Sequence, residues 1–205
     1  MPLGALFGDT LEVLDAVGLP VAPLRDAGRR LIIEVPGGPT YITTRPSDVP
    51  TYVESGAADV GIVGRDVLLE RQPDAYELAD LRFGGCRMSW CTPAGDDPTA
   101  DAVARFGVVR VATKYVNCAE RFFESTGRKA EIVKVNGSVE LAPLVGLSDG
   151  IVDLVATGRT LRENGLVERE AIFESTARLI ANRVSHKMRA AELDDLVRRM
   201  EQVVA

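Results

Sequence analysis

The chain has 205 residues, 46% of them hydrophobic and 26% charged, enough for one large domain or two small lobes with real cores. A net charge of −6 and a pI near 5.0 argue against general nucleic-acid binding, though a local positive field can still hold a small polyanion. No apolar run is long enough to span a bilayer, and "MPLGALFGDTLEV" lacks the basic region and apolar stretch of a secretory signal, so a cytoplasmic protein is expected.

Short β-rich runs alternate with helical ones, the mark of an α/β protein with largely parallel sheets. The first helix is signalled by "DTLEVLDAVG", where Asp9 and Glu12 have capping-box spacing and Gly18 is a stop. "RRLIIEV" and "TYITTR" around "PGGP" read as a hairpin, and "PSDVPTYVESG" as a short helix ending at Gly56. "ADVGIVG" is a buried strand and "RDVLLER" a helix. After residues 76–93 the alternation begins again: "VVRVAT" is a strand and "NCAERFFESTG" a helix with Asn117 as a possible cap. "AEIVKV" is a strand, "SVELAPLVG" a helix that Ser138 could cap, and "IVDLVA" a strand. "AIFES" and "ARLIANR" are strands, and "KMRAAELDDLVRRMEQVVA" is an amphipathic terminal helix. Two such cycles suggest two lobes, residues 1–88 with 180–205 and residues 89–179, with ligands at the carboxyl ends of strands in the cleft between lobes.

Cys86, Cys91 and Cys118 are odd in number and lack C-x-x-C spacing, which reads as reduced thiols. His186 is the only histidine, so a histidine-rich metal site within one chain is excluded. "GLSDG" (146–150) fits G-x-S-x-G, and Ser148, Asp153 and His186 even follow hydrolase order. A nucleophile elbow, however, needs a strand before it and a helix after it, and here the order is reversed. No Walker A or G-x-G-x-x-G motif occurs.

The turn "ATGRT" (156–160) is better placed, because it follows a strand and opens a helix. Its backbone N–H groups can point at an anion, threonine hydroxyls add donors, and Gly158 permits close approach. An ordinary helix cap by Thr157 is the plainer alternative. Asp153, four residues before Thr157, adds an acceptor. A sugar phosphate presents hydroxyl donors a few ångströms from a dianion, and D-x-x-x-T-G-x-T supplies both needs from one strand end. The pattern resembles the phosphoribosyl diphosphate (PRPP) loop of phosphoribosyltransferases.

Extended back to Glu140, the stretch "ELAPLVGLSDGIVDLVATGRTL" resembles the signature of the ATP phosphoribosyltransferase family at Glu140, Gly146, Ser148, Ile151, Asp153, Leu154, Thr157, Gly158, Thr160 and Leu161. "TTRPSDVPTYVESGAADVGIVGRDVL" (43–68), "LRFGGCR" (81–87), "RVATKYVN" (110–117), "VNGSVELAP" (135–143) and "ENGLVE" (163–168) are similar to further family segments. The resemblance implies a fold of the type II periplasmic-binding-protein kind, two α/β lobes around a ligand cleft. It also implies the reaction of ATP with PRPP, the first step of histidine biosynthesis, with Mg²⁺ carried mainly by substrate phosphates and no all-protein metal site. This chain resembles the short form, which implies a catalytic-chain dimer and a histidyl-tRNA-synthetase-like regulatory subunit in a hetero-octamer, with neither nucleic acid nor membrane as partner.

Carried over residue by residue, the resemblance gives Asp153 the ribose hydroxyls and Thr157, Gly158, Arg159 and Thr160 the 5-phosphate, with Ser138 and Glu140 beside them. Arg45, with Arg29 or Arg30, would stabilise charge on ATP and the leaving diphosphate, and Arg87 and Gly4 would lie on the ATP side. No dedicated base is implied. The chain departs from the family at "MPLGALF", where Leu3 and Ala5 stand in place of the Lys and Arg of an "LPKGRLF"-like segment, and at Val116, where proline is usual. Two missing charge-assisted contacts, each worth about 1.5–3 kcal/mol, would weaken phosphate binding. Alternative readings are a catalytically impaired paralogue and a solute-binding module of the same fold.

Overall fold

The computed structural model describes residues 1–205. In chain order the elements are α1 (Phe7–Ala16), α2 (Ala22–Arg25), β1 (Ile32–Glu34), β2 (Thr40–Ile42), α3 (Val49–Glu54), β3 (Val60–Gly64), α4 (Arg65–Arg71), β4 (Tyr76–Asp80) and β5 (Cys86–Pro93). There follow α5 (Thr99–Phe106), β6 (Val109–Thr113), α6 (Val116–Ser125), β7 (Ala130–Lys134), α7 (Leu141–Leu144), β8 (Gly150–Val155), α8 (Arg159–Glu163), β9 (Leu166–Ser175), β10 (Ala177–Ala181), α9 (Arg183–Met188) and α10 (Ala190–Val204). The chain divides into two compact units, Met1–Gly85 with Thr176–Ala205, and Cys86–Ser175. Residues 86–88 therefore belong to the second unit and 176–179 to the first, unlike the boundaries read from sequence. The divisions fall between strands, because β5 and β10 are each hydrogen-bonded along their whole length inside one sheet.

The first unit is built on a three-stranded sheet, β3-β10-β4, and a hairpin of β1 and β2. Strand alternation sends Ile62 and Leu179 into a core with Leu11, Leu14, Leu81 and Met200. Val63 and Ile180 enter a second cluster with Val49, Val53 and Val67. Both sheet faces are thus covered, which explains why "ADVGIVG" is apolar without alternation. Helix α1 starts at Phe7, after a turn at Gly4, so Asp9 lies in its first turn and does not cap it. Asn182 caps α9 instead, its Oδ1 accepting from the N–H groups of Val184 and Ser185. The terminal helix is broken into α9 and α10 at Arg189, whose guanidinium is bonded to Asp59 and Glu192.

The second unit holds a five-stranded sheet in the order β7-β6-β8-β5-β9. Only β7-β6-β8 is parallel, while β5 runs antiparallel to both β8 and β9, and the three-stranded sheet is antiparallel throughout. The expectation of largely parallel sheets is corrected accordingly. The two strands that enter and leave this unit, β5 and β9, pair with each other and so must run in opposite directions. Trp90 and Phe123 of α6 meet edge to face on one side of the sheet, with ring centroids 5.2 Å apart. Cys91, Ile151 and Val155 pack with Ala142 and Leu161, from α7 and α8, in a separate cluster.

Several local expectations need correction here. Asn117 lies inside α6, and the residue before the helix is Tyr115, whose N–H is bonded to Thr113 Oγ1 at 2.8 Å. The helix expected over "SVELAPLVG" shrinks to α7, since Pro143 cannot donate to a helix ladder. Ser138 does not cap it through its side chain. It adopts φ +22°, and its carbonyl accepts from Leu141 N–H at 3.1 Å. Strand β9 begins at Leu166, well before "AIFES", because it follows β5 to Pro93.

Candidate functional site

Strands β6, β7 and β8 are parallel, so their carboxyl ends and the loops that follow lie along one edge of the sheet. From β6 the chain goes outward to β7, whereas from β8 it goes the other way, toward β9 at the opposite margin. Adjacent strands whose connections diverge form a switch point, where α/β folds bind ligands. Asp153, on β8, and Lys114, immediately after β6, meet there, with Nζ 3.8 Å from Oδ1. The Asp153 side chain is 17% exposed, and its Oδ1 also accepts from Leu154 N–H at 2.8 Å. Thr113 Oγ1, which holds Tyr115 N–H, donates to the Val152 carbonyl at 2.6 Å, tying β6 to β8 directly beneath this pair.

The "TGRT" turn leaves the end of β8. Gly158 sits at φ +69°, in the left-handed region that side chains avoid, and precedes α8. The first intrahelical bond is Arg162 N to Gly158 O, so the N–H groups of Thr160 and Leu161 lie ahead of the ladder. Thr157 Oγ1 accepts from Arg159 N–H at 3.4 Å, a long bond that an anion can replace. Thr157, Arg159 and Thr160 are exposed. The Arg159 guanidinium is paired with Glu163 at 2.7 Å, and Arg162 Nη1 donates to the Thr157 carbonyl at 3.1 Å. The turn therefore offers backbone donors and hydroxyls, with its arginine side chains already engaged. Ser138 and Glu140 lie in the loop after β7, at the same edge of the sheet.

A second polar group lies across β5 and β9. Arg87 grips Glu168 through Nε, at 2.5 Å, and through Nη2, while Ser89 Oγ donates to the same carboxylate at 2.8 Å. The Arg87 bond, then Ser89, hold the Glu168 carboxyl below its ordinary value against the opposing effect of burial. Burial, then the nearby Glu168 and Asp153 charges, push the Cys91 thiol up to about 12. Arg87, expected on the ATP side, is thus bonded within the second unit through Nε and Nη2.

The remaining expected residues lie in the first unit. A parallel bridge between Pro2 and Thr44 sets Gly4 and Arg45 in neighbouring segments, and the Leu31 carbonyl accepts from Thr43 N–H at 2.8 Å just beyond Arg29 and Arg30. Arg29 and Arg45 are exposed. Arg30 donates to the carbonyls of Ala27 and Asp26, which fixes its side chain without neutralising its charge. Leu3 and Ala5 are exposed and bring no charge. The hydrolase pattern dissolves: Ser148 is buried ahead of β8, and His186 lies in α9 against Tyr76.

Sequence reasoning missed Lys114 and the Glu168 network. Lys114 was visible in "RVATKYVN" as the charge ending an apolar strand, the same signal that singled out Asp153. Nothing in the chain order pointed Glu168 toward Arg87, because the two are 81 residues apart.

The fold is that of the type II periplasmic-binding class. The chain is similar to the periplasmic aliphatic sulphonate binding protein SsuA of Escherichia coli, with a TM-score of 0.60, 12% identity, 95% of this chain and 65% of that one covered. At that identity the likeness concerns fold alone. A sequence model described as ATP phosphoribosyltransferase matches residues 45–202, and the chain belongs to that family. It is 54% identical over 198 residues to the ATP phosphoribosyltransferase of Rubrobacter xylanophilus, covering 96% of this chain and 91% of the relative. It is 46% identical over 205 residues to that of a Geobacillus species, covering 100% and 97%. Among solved structures it is similar to the "ATP phosphoribosyl transferase (HisG:HisZ) complex from Thermotoga maritima", with a TM-score of 0.83, 32% identity, and 99% and 96% covered. The chain is a phosphoribosyltransferase.

Proposed function

We propose that the edge formed by the carboxyl ends of β6, β7 and β8 binds PRPP for the family's reaction, which joins N1 of ATP to C1 of the phosphoribosyl group and opens histidine biosynthesis. The observation that carries this reading is Asp153 at the switch point, followed at once by the donor-rich turn of Thr157 to Thr160. Asp153 accepts from the ribose hydroxyls. Thr157, Gly158, Arg159 and Thr160 receive the 5-phosphate through backbone N–H groups and hydroxyls, and Ser138 and Glu140 border the sugar. Arg45, Arg29 and Arg30 stabilise charge on ATP and diphosphate, and Arg87 and Gly4 contact ATP.

N1 supplies its lone pair to C1, the C1–O bond breaks, and that electron pair leaves on the diphosphate. The adenine sheds its excess proton from the exocyclic amine to water. Such a transfer passes through an oxocarbenium-like state, so positioning and charge neutralisation carry the catalysis. The family needs a metal ion. In this reading Mg²⁺ arrives on the substrate phosphates.

The similarity to the Thermotoga maritima HisG:HisZ complex supports a hetero-oligomer with a regulatory subunit. We infer a histidyl-tRNA-synthetase-like partner, a catalytic-chain dimer within a hetero-octamer, and a cytoplasmic setting in keeping with three free thiols. The test is formation of phosphoribosyl-ATP from ATP, PRPP and Mg²⁺, with and without the regulatory subunit. Product in either arm supports the reading. Binding of both substrates with no product in either arm identifies a catalytically impaired chain.

A further inference from the structure

We propose that Lys114 is a ligand of the diphosphate of PRPP, and thereby a catalytic residue of phosphoribosyl transfer. The inference rests on the PRPP reading above and adds a residue to it. Three features of Lys114 carry the argument.

Its backbone is fixed by what surrounds it. Thr113, just before it, is wholly buried and bonded to β8, and Tyr115, just after it, is buried and held by the Thr113 hydroxyl. Lys114 cannot slide relative to Asp153 unless that connection opens. Its ammonium lies 4.9 Å from the Tyr115 ring centroid, a second contact that favours positive charge at this place.

Three arginines of this unit are committed elsewhere. Arg159 is paired with Glu163, and Arg162 donates to the Thr157 carbonyl. Arg110 is paired with Asp149 where β8 begins, at the opposite end of the sheet. Lys114 faces Asp153 at 3.8 Å, beyond ordinary hydrogen-bond length, and its side chain is 44% exposed. That contact steers the ammonium without saturating its three donors.

The chemistry of PRPP then selects the group that Lys114 meets. The hydroxyl on C2 is one carbon from the C1 that bears the diphosphate, whereas the 5-phosphate extends from the far side of the ring. A carboxylate holding the C2 and C3 hydroxyls therefore places a cation beside it near the diphosphate, while the "TGRT" turn takes the 5-phosphate. As the C1–O bond breaks and its electron pair moves onto the diphosphate, the charge facing Lys114 grows. The ammonium thus binds the transition state more strongly than the ground state.

The experiment uses the full chain with its regulatory subunit and three probes: PRPP, inorganic pyrophosphate with Mg²⁺, and ribose 5-phosphate, which lacks the diphosphate. Lys114→Met should weaken PRPP and pyrophosphate binding by about tenfold or more, with ribose 5-phosphate unchanged within about twofold. Lys114→Arg should restore part of the loss, and Lys129→Ala should leave all three as they were. Equal weakening of ribose 5-phosphate would overturn the assignment, since Lys114 would then act through Asp153 or the 5-phosphate. Unchanged PRPP and pyrophosphate binding would overturn it outright. Asp153→Asn separates the two layers: if it leaves ribose 5-phosphate binding intact, the PRPP reading itself fails. If it weakens that binding while Lys114→Met changes nothing, only the lysine is wrong. Far-ultraviolet circular dichroism and a thermal melt on each variant confirm folding.

Discussion

Ser89 and Asp153 are direct cross-strand partners on β5 and β8, yet the Ser89 hydroxyl donates to Glu168, at 2.8 Å. The two carboxylates are thereby served by different donors: Arg87 and Ser89 on Glu168, Lys114 and the Leu154 N–H on Asp153. Glu168 is thereby held by two side chains of β5, at shorter range than Lys114 stands from Asp153. The two residues should respond differently to substitution.

Glu168→Gln should destabilise the protein in a pH-dependent way. The folded carboxyl titrates below the ordinary 4.5, chiefly through its bond from Arg87, so its stabilising contribution is complete above that value. It is lost as pH falls through the lowered folded value. Urea unfolding at a series of pH values should show the gap between wild type and variant widest near neutrality and closing below 4.5. A gap that does not change with pH would count against the ion-pair account.

Asp153→Asn keeps the shape of the side chain and removes its charge. PRPP titration should show a loss on the order of tenfold or more, with ATP affinity much less affected. An unchanged PRPP isotherm would remove Asp153 from the ribose site.

Gly158→Ala puts a Cβ on a residue at φ +69°, where it also comes 3.2 Å from Arg162 Nη1. Left-handed backbone costs an L-residue about 1–2 kcal/mol. The variant should lose that much unfolding free energy, or reshape the turn and bind PRPP more weakly. Wild-type stability together with wild-type PRPP affinity would show that the turn does not need this conformation.

Gly150→Ala tests packing rather than chemistry. A Cβ there would collide with the Trp90 ring and the Cys91 carbonyl, one of them main chain and unable to swing away. Overpacking of this kind costs about 1–3 kcal/mol, read as a lowered denaturant midpoint. A midpoint equal to wild type would mean that β5 and β8 can move apart.

Cys91 should resist alkylation. It is fully buried, and its thiol is pushed up to about 12 by that burial and by the neighbouring carboxylates. Iodoacetamide followed by mass spectrometry should label the partly exposed Cys86 first, with Cys91 and Cys118 modified only on unfolding. Early labelling of Cys91 would show that β5 opens in the native state.

The sequence by itself determined most local elements and the core of the candidate site. Strand β8, the turn at Gly158 and the helix after it are all written within residues 150–163, where an apolar run gives way to a small polar turn and then to helix. The same local logic located β3, β6, β7 and α6. It misplaced caps at Asp9, Asn117 and Ser138, because a side chain of the right type caps a helix only if the helix begins beside it. Tertiary structure alone decided the path of β5, whose run of cysteine, serine and tryptophan gives no periodic signal until β8 and β9 flank it. It also decided that β5 runs against the other four strands of its sheet, that Arg87 closes on Glu168, and that Lys114 stands beside Asp153. Those relationships are set by strand order and register, which join residues far apart in the chain. Local pattern constrains which face a side chain takes, but not which strand lies next to it.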